Sequence, residues 1–365
     1  MKYIVADYYP GFACKCGSCR TNCCVGWPVI VSRQEHDRML AAPCSEEFRK
    51  EIREALRPNF APDEGRYAHI VHDKHARCRL LGDDGLCSLQ KQAGEAVLPD
   101  VCRLYPRNRR SVGGVAECAL SLSCEAVTEA ALASREPLGF VEAEIGEEPL
   151  FPIDMSPGQY GECQRAIEIM EDRSRSLAER FVVLGEELFG CLESCGGEEG
   201  SLDALRALYR LTSDHSGKNK VAGPLCTEAL SFFGMMGKEK LSTEEARELL
   251  RRYREAEEHA FAELPDWQAY AERLLVSHMF YNNFPHVGGT SDGARAFYGL
   301  AAVYAFVKFV FTGNQRRWES REEIADTLAG LFRLIEHSDF KYRASQAYRR
   351  QAEFSPGCWR QLAAL

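Results

Sequence analysis

The spacing of apolar residues separates a long helical part of the chain from a shorter irregular part. From about residue 161 onward, apolar residues recur every three or four positions, as in amphipathic helices. The pattern predicts helices near 162–192, 201–213, 217–236, 243–262, 265–282, 293–313, 319–337 and 340–352. We therefore expect an all-α C-terminal domain with the packing of an irregular helical bundle.

Residues 1–124 lack this period and are rich in Cys, Gly and Arg. A helix is predicted over 45–56, because Ser45 can cap it, acidic residues follow, and Arg57-Pro58 ends it. Gly113-Gly114 predicts the turn of a β-hairpin. The predicted fold class is mainly α, with a small, irregular Cys-rich N-terminal domain that contains short strands.

A change of composition marks the boundary between these parts. The segment 125–160 begins with an Ala-rich helical stretch and continues with three prolines and many acidic residues. Such a segment is typical of a connection between domains. The predicted organisation is a Cys-rich domain over 1–124, a connecting segment over 125–160 and a helical domain over 161–365.

Charge and hydropathy exclude several classes of protein. The 365 residues carry a formal net charge of −9, which disfavours general binding to nucleic acid or to an anionic membrane surface. No apolar run approaches the roughly 18 residues that a membrane span needs. The first residues lack the features of a signal peptide, so we expect a cytoplasmic, reducing location.

Sixteen cysteines are the most unusual feature of the composition, and eleven of them lie between Cys14 and Cys124. In a reducing compartment, clustered thiols are more often metal ligands or redox groups than disulfides. The densest run holds five thiols from Cys14 to Cys24. We interpret Cys44 and the five distal cysteines as buried apolar side chains, namely Cys163, Cys191, Cys195, Cys226 and Cys358.

The spacing of the thiols favours an iron–sulfur cluster over zinc. Thiolates suit both metals, but Cys16 and Cys19 form the single C-x2-C pair, whereas structural zinc sites commonly use two. The histidines His69, His72 and His75 are interpreted as part of a solvated loop. One [4Fe–4S] cluster needs about four thiolates, so the eleven cysteines include a surplus.

Arginines lie at the same place in the sequence. Arg103, Arg107, Arg109 and Arg110 follow Cys102. They are suited either to bind a carboxylate or to balance an anionic thiolate centre, and both interpretations remain open. The chain has no G-x-G-x-x-G dinucleotide motif, no phosphate-binding P-loop, no G-x-S-x-G motif and no C-x3-C-x2-C radical motif.

These motifs resemble one known family. Cys14-x4-Cys19-x3-Cys23-Cys24-x2-Trp27 resembles the N-terminal motif of the flagellin lysine N-methylase (FliB-type) family. Cys78-x8-Cys87 and Cys102-Arg-x-Tyr-Pro-Arg resemble its second and third motifs, and all three are also similar to the broader CxxCxxCC group of zinc- or iron-chelating domains. Later similarities are Ser121-Leu-Ser-Cys124, the aromatic helix from Glu272 to Pro285, and Glu336-His337. Cys16 is an addition to the motif, and Arg79 stands where the family usually has proline.

The resemblance implies transfer of methyl groups from S-adenosylmethionine to lysine ε-amines of flagellin, with a [4Fe–4S] cluster involved. The candidate ligands of the cluster are Cys14, Cys19, Cys23, Cys24, Cys78, Cys87 and Cys102, with Cys124 as a further candidate. Arg103, Arg107 and Trp27 are candidates for binding S-adenosylmethionine. Tyr105, Tyr281 and His337, with Glu117 as a further possibility, are candidates for accepting or orienting the proton of the amine.

Two other classes of function compete with this hypothesis. One is a non-catalytic interaction module that a zinc ion or an iron–sulfur cluster stabilises. The other is an iron–sulfur oxidoreductase, although no flavin or nicotinamide motif is visible. The expected partner is flagellin as a protein substrate, with no nucleic acid and no membrane, and an oligomer is compatible with the sequence.

Overall fold

The structure is a computed structural model that describes residues 1–146, 151–189, 198–286, 293–340 and 343–344. Within these ranges the chain is mainly helical, and its strands all lie before residue 154. The strands are β1 (Lys2–Ala6), β2 (Val29–Val31), β3 (Leu56–Pro58), β4 (Ala68–Ile70), β5 (Arg107–Val112), β6 (Val115–Leu120), β7 (Phe140–Glu144) and β8 (Phe151–Ile153). The predicted mainly α fold with short strands near the N-terminus is confirmed.

The helices account for most of the described residues after residue 155. They are α1 (Arg33–Leu40), α2 (Glu46–Ala55), α3 (Ser88–Ala93), α4 (Asp100–Leu104), α5 (Glu125–Ala131), α6 (Pro157–Glu171), α7 (Leu177–Phe189), α8 (Glu198–His215), α9 (Ala222–Phe232), α10 (Thr243–Glu263), α11 (Trp267–Asn282), α12 (Gly293–Thr312) and α13 (Arg321–Glu336). The helix predicted over 340–352 lies almost wholly outside the described residues, as do Cys191, Cys195 and Cys358.

The chain forms two compact units, and each is described by itself. The Cys-rich unit comprises residues 13–107 and 124–126. The helical unit comprises residues 1–12, residues 108–123 and the described residues from 127 onward. Strand β1 belongs to the helical unit, because it pairs with β6 and β7.

The helical unit contains a five-stranded sheet with the order β7–β1–β6–β5–β8. Strand β1 runs parallel to β6, with Ile4 opposite Glu117, and antiparallel to β7. Tyr3 and Val5 alternate along β1 and are fully buried, as expected for one face of a strand. The predicted hairpin joins β5 to β6 at Gly113-Gly114, whose φ angles of 56° and 87° suit a two-residue turn.

A small sheet and one amphipathic helix form the core of the Cys-rich unit. The antiparallel sheet has the order β2–β4–β3. Phe48 and Ile52 of α2 are buried in the same core as this sheet. Cys44, predicted to be buried, is partly buried and packs against that core. The helix begins where the sequence predicts, because the Ser45 hydroxyl accepts a hydrogen bond from the Phe48 amide at 3.2 Å.

Helix α11 is buried along most of its length, including four polar side chains. Each of these side chains has a partner from another segment. Glu272 pairs with Arg173 and Arg180, Arg273 pairs with Asp7, Ser277 with Tyr8, and His278 with Glu336. A buried polar group without a partner is costly. These pairs therefore fix the positions of β1, of the segment between α6 and α7, and of α13 against α11.

The single helix predicted over 162–192 is wrong, because two helices, α6 and α7, occupy that region. Local side-chain bonds interrupt the backbone between them. Asp172 accepts a hydrogen bond from the Ser174 amide at 3.1 Å, and Ser176 accepts one from the Glu179 amide at 3.3 Å. Such bonds compete with helical hydrogen bonding. The spacing of apolar residues carries no information about these side-chain bonds. It therefore predicts one continuous helix across the break.

The capping signals farther along the chain are confirmed. Ser242 and Glu245 form a reciprocal capping box at the start of α10, and the Ser320 hydroxyl accepts from the Glu323 amide at 3.2 Å before α13. These hydroxyls and carboxylates satisfy amides that the first helical turn leaves without partners. The starts of these two helices could therefore be predicted to within two residues.

Helix α12 is long and apolar enough to cross a membrane by length and composition alone, over Arg295–Thr312. However, 83% of this window is buried inside the protein. Lys308, within the window, is ion-paired with Glu257 at 2.5 Å. A helix that is apolar all round and surrounded by its own chain is a core helix.

The β5–β6 hairpin provides a test of how tightly the sheet is packed. A Cβ atom at Gly113 would lie 2.7 Å from the Met155 carbonyl oxygen, whereas one at Gly114 would have nothing within 4 Å. Both positions have positive φ, so alanine costs about 1 kcal/mol of conformational strain at either. Urea unfolding is expected to show Gly113→Ala less stable than Gly114→Ala by at least about 1 kcal/mol. Equal losses would contradict the contact with Met155.

Candidate functional site

Five cysteines of the Cys-rich unit form one group, which we call the five-thiol group: Cys23, Cys24, Cys78, Cys87 and Cys102. Burial and the neighbouring Cys87 and Cys23 raise the pKa of Cys78 to about 11. Burial also raises the pKa of Cys102, and Cys78, Cys87 and Cys23 raise it further. The pKa of Cys24 is raised by its hydrogen bond with Cys23, then by burial. These thiols are close enough to oppose one another's ionisation.

Backbone contacts bring the first two sequence motifs of this group together. The Cys78 amide donates to the Cys24 carbonyl oxygen at 2.8 Å. A β-bridge pairs Leu81 with Cys87 across the intervening turn. Asn22 links the first motif to that turn, because its side chain donates to the Gly85 carbonyl at 3.0 Å and accepts from the Cys24 amide at 2.8 Å.

The predicted ligands Cys14 and Cys19 lie in a second group, together with Cys16 and Cys124. Burial, followed by Glu125 and Cys124, raises the pKa of Cys19 to about 12. The Cys16 amide donates to the Cys14 sulfur at 3.3 Å. Cys23 raises the pKa of Cys14 and of Cys19 as well, so this residue links the second group to the five-thiol group.

A buried carboxylate organises the backbone of the second group. Glu125 is 1% exposed and accepts hydrogen bonds from the Thr21 hydroxyl at 2.8 Å and the Arg20 amide at 3.2 Å. Lys15 forms an ion pair with it at 3.2 Å. Glu125 therefore satisfies hydrogen-bond donors of the loop that follows Cys19 and holds that loop in position.

The donor chemistry of the five-thiol group suits a thiolate-bound cluster. The cysteines of the described ranges are thiols rather than disulfides. Four thiolates are what a [4Fe–4S] cluster requires, and mutual repulsion among neighbouring thiolates favours a compensating metal charge. Within the described ranges, no three His, Cys, Asp or Glu side chains converge closely enough to hold a metal ion. The structure thus gathers the thiols without showing the ligand geometry.

The residues predicted to bind the cofactor lie in the Cys-rich unit, and two of them, Arg103 and Arg107, are near Cys102 in the sequence. The Trp27 ring packs edge-on against the Tyr105 ring, with the ring centroids 5.0 Å apart. Arg103 lies on α4 and contacts Asp100 at 3.4 Å, and Arg107 begins β5. Tyr105, predicted as catalytic, therefore belongs to the same unit as these candidates, whereas Tyr281 and His337 belong to the helical unit.

Two serines connect Tyr281 with His337 in the helical unit. The Ser121 hydroxyl hydrogen-bonds the Tyr281 side chain and donates to the Glu336 carboxylate. The Ser121 and Ser123 oxygens are 2.5 Å apart, and Ser123 Oγ lies 2.7 Å from His337 Nε2. We call these five residues the relay network. Two of the three predicted catalytic residues are thus brought together.

The direction of the hydrogen bonds in the relay network follows from counting protons. A serine hydroxyl carries one proton, and that of Ser121 points to Glu336. Ser123 must therefore donate to Ser121, and His337 Nε2 must carry a proton that it donates to Ser123. In the neutral imidazole this tautomer leaves Nδ1 as the basic nitrogen.

Sequence reasoning missed His278, which holds the other side of the Glu336 carboxylate. His278 Nδ1 lies 3.2 Å from Glu336 Oε1, and the Glu336 side chain has no exposed surface. A usable signal was present in the sequence. His278 precedes Tyr281 by three positions in an apolar helix, which places both on the same helix face.

Two candidates for the proton acceptor fit less well. Burial and the charge of Glu336 raise the pKa of Tyr281, so its phenol is protonated at neutral pH and acts as a donor. Glu117 is ion-paired with the buried Arg110 at 2.7 Å and accepts from the Tyr160 hydroxyl at 3.1 Å. Arg110 also donates to the Tyr281 carbonyl oxygen at 2.6 Å, which ties the end of α11 to β5.

Comparison with known proteins relates the sequence to one family. Residues 164–355, more than half of the chain, match the model described as the FliB lysine N-methylase C-terminal domain. The chain is 26% identical over 150 residues to proteins named lysine-N-methylase from Salmonella typhimurium strain LT2 and Salmonella choleraesuis strain SC-B67. This match covers 39% of the chain and 36% of each relative, so it spans about a third of their length.

A third relative carries a flagellar name. The chain is 26% identical over 121 residues, or 32% of its length, to the flagellar biosynthetic protein FliU of Salmonella muenchen, of which the match covers 69%. No solved structure matches the chain. Membership of the broader CxxCxxCC group stays a prediction.

The buried Glu336 carboxylate offers a direct test of the relay network. Glu336→Gln replaces an acceptor with an amide that cannot accept from both Ser121 and His278, so urea unfolding is expected to show a loss of about 3 kcal/mol. Glu322→Gln on the same helix is the control, because Glu322 is exposed and its loss should stay below about 1 kcal/mol. Similar losses in the two variants would contradict the buried hydrogen-bond arrangement.

Proposed function

Because the chain belongs to the FliB lysine N-methylase family, we propose that it is a protein lysine N-methyltransferase that uses S-adenosylmethionine and acts on flagellin. The names of its relatives, lysine-N-methylase and a flagellar biosynthetic protein, support the reaction and the kind of substrate. The cytoplasmic location is part of the same proposal, since flagellin is synthesised there before export.

The observation that carries the proposal is the directed hydrogen-bond chain from His337 to Glu336. Lysine methylation needs a neutral amine as the nucleophile, and a proton must leave the amine nitrogen. A half-buried imidazole connected to a carboxylate without exposed surface is suited to take that proton. Both residues lie inside the segment that matches the family model.

The proposed proton path uses the residues of the relay network in order. S-adenosylmethionine, when bound, supplies a methyl group on a sulfonium ion. A carbon–nitrogen bond forms as the carbon–sulfur bond breaks, and the amine proton passes to His337 Nδ1. His337 then releases its Nε2 proton to Ser123, Ser123 releases its own to Ser121, and Ser121 releases its own to Glu336. The hydrogen bond between the Tyr281 and Ser121 side chains helps to hold the Ser121 hydroxyl in place.

The Cys-rich unit is assigned the binding of the cofactors. Arg103 and Arg107 supply guanidinium groups suited to the carboxylate of the methionine moiety, and the Trp27–Tyr105 pair offers aromatic surface. Four members of the five-thiol group are proposed to hold a [4Fe–4S] cluster, which when bound compensates the charge of the thiolates. Cys14 and Cys19, in the second group, are left out of this ligand set.

Mass spectrometry of purified flagellin tests the reaction. Iron-loaded protein with S-adenosylmethionine is expected to add mass in steps of about 14 Da, the mass of one methylene, on lysines of flagellin. His337→Gln should lower the rate by at least about 100-fold, because it removes the proton acceptor. The matched control is His259→Gln, which changes an exposed histidine on α10 and should leave the rate unchanged.

Two results would contradict the proposal. An unmodified flagellin with the metal centre intact would favour a non-catalytic, metal-stabilised interaction module. A fully active His337→Gln variant would remove His337 from the proton path while leaving the methyltransferase assignment in place.

Metal analysis tests the assignment of ligands. Protein purified without oxygen is expected to be coloured and to hold about four iron atoms per chain. Cys78→Ser should lose most of the iron, because Cys78 lies in the five-thiol group. Cys14→Ser, from the same Cys-rich unit but the second group, should retain it. Colourless protein with bound zinc, or equal iron loss in the two variants, would contradict the assignment.

A further inference from the structure

A cavity of about 320 Å³ lies in the helical unit on the side of α11 that carries Met279 and Phe280. It extends between that helix, α6 and the five-stranded sheet. Its wall includes the aromatic rings of Phe140, Phe280, Phe284 and Tyr160. The Phe140 and Phe280 rings are tilted against each other with their centroids 4.8 Å apart. Glu117, a further candidate for the proton acceptor, lines this cavity, whereas its described lining includes no member of the relay network.

The charged residues of the wall are all acidic. Glu117, Glu168 and Glu171 line the cavity, and no Lys, Arg or His is among the described residues that do so. Two of the three carboxylates have charged partners, since Glu117 pairs with Arg110 and Glu168 pairs with Arg165 at 3.3 Å. Glu171 differs, because its Oε1 atom is buried and has no hydrogen-bond partner. A buried carboxylate oxygen without a donor marks a place where a ligand donor fits.

Aromatic faces combined with a carboxylate are the chemistry that recognises alkylated ammonium ions. The rings attract the cation through their negative faces, and the carboxylate accepts an N–H or balances the charge. The apolar wall suits the aliphatic stem of a lysine side chain. The volume exceeds what an unmodified lysine fills, so methyl groups on the nitrogen have room.

We propose that this cavity binds a methylated lysine side chain, with Glu171 as the acceptor for its ammonium group. The inference rests on the proposed lysine methylation for the identity of the ligand. If flagellin is the substrate, the cavity binds lysines of flagellin that already carry methyl groups. The modified flagellin then stays bound to the enzyme. It deepens the proposed function by adding a product-binding site outside the relay network.

Binding of a cation at Glu171 should depend on pH. Burial, and then the charge of Glu272, raise the pKa of Glu171 to about 7. The carboxylate is therefore ionised above about pH 7 and protonated below it, so affinity should rise as pH increases through 7. The other titratable groups near Glu171 are Arg173, Arg273 and Asp7. The cavity wall adds Glu117 of β6 and, from the helix α6 that carries Glu171, Glu168, Tyr160 and Cys163. Of the last two, Cys163 has its pKa raised to about 11 and Tyr160 has a raised pKa, so both stay neutral in this range.

Calorimetry with short peptides tests the proposal without any methyl donor. A peptide with dimethyllysine is expected to bind more tightly than the same peptide with lysine, and at least about tenfold more tightly than the same peptide with norleucine. Glu171→Gln should weaken the dimethyllysine complex at least about tenfold at pH 8 and remove its pH dependence. Glu144→Gln, on an exposed position of β7, is the control and should change neither.

A second variant separates binding from folding. Phe140→Leu keeps most of the apolar volume but removes a ring, so it should weaken the dimethyllysine peptide more than the norleucine peptide. Unfolding midpoints of the variants verify that each is folded. Equal affinity for dimethyllysine and norleucine peptides, no binding at millimolar peptide, or equal effects of Glu171→Gln and Glu144→Gln would overturn the proposal. These experiments measure binding and not turnover, so their failure would not contradict the proposed methyltransferase activity.

Discussion

The helical unit depends on one constraint, which is the burial of helix α11 together with its polar side chains. Each of these side chains must find a partner inside the protein, since an unpaired buried polar group costs about as much as several apolar contacts contribute. Asp7 and Tyr8 meet this need from the end of β1, and Glu336 meets it from α13. The position of the sheet and of the last described helix is therefore set by the polar residues of α11.

One of these pairs, His278–Glu336, also takes part in the proposed proton path. The His278–Glu336 pair places a carboxylate with no exposed surface beside Ser121, and this carboxylate sets the direction of the hydrogen bonds back to His337. Arg110 then ties the carbonyl end of α11 to Glu117 of β6. The relay network and the cavity therefore both include residues of α11, and Ser121 of the relay network directly follows the strand that carries Glu117. The fold and the proposed chemistry thus rest on the same contacts.

The sequence predicts those features that local rules control. Apolar periodicity and the serine caps at Ser45, Ser242 and Ser320 predict where helices lie, and Gly113-Gly114 predicts the hairpin. Contacts between side chains that are far apart in the sequence cannot be predicted by local rules. The break at Asp172 depends on local bonds that periodicity ignores, the membership of β1 in the helical unit depends on pairing with β6, and the role of His278 depends on a residue 58 positions away. The loops that carry the thiols likewise depend on hydrogen bonds of Asn22 and Glu125, which no local motif in the sequence identifies.

The central claim is that a directed hydrogen-bond chain leads from His337 to Glu336, and the tautomer of His337 tests it most directly. Long-range nitrogen–proton NMR correlations in protein with ¹⁵N-labelled histidine distinguish the two ring nitrogens, with His337→Gln identifying the resonance. The account predicts that neutral His337 carries its proton on Nε2 and that Ser123→Ala removes this preference. A neutral His337 protonated on Nδ1 in the folded protein would contradict the account, because Ser123 would then have to donate to His337 and the chain would run in the opposite direction.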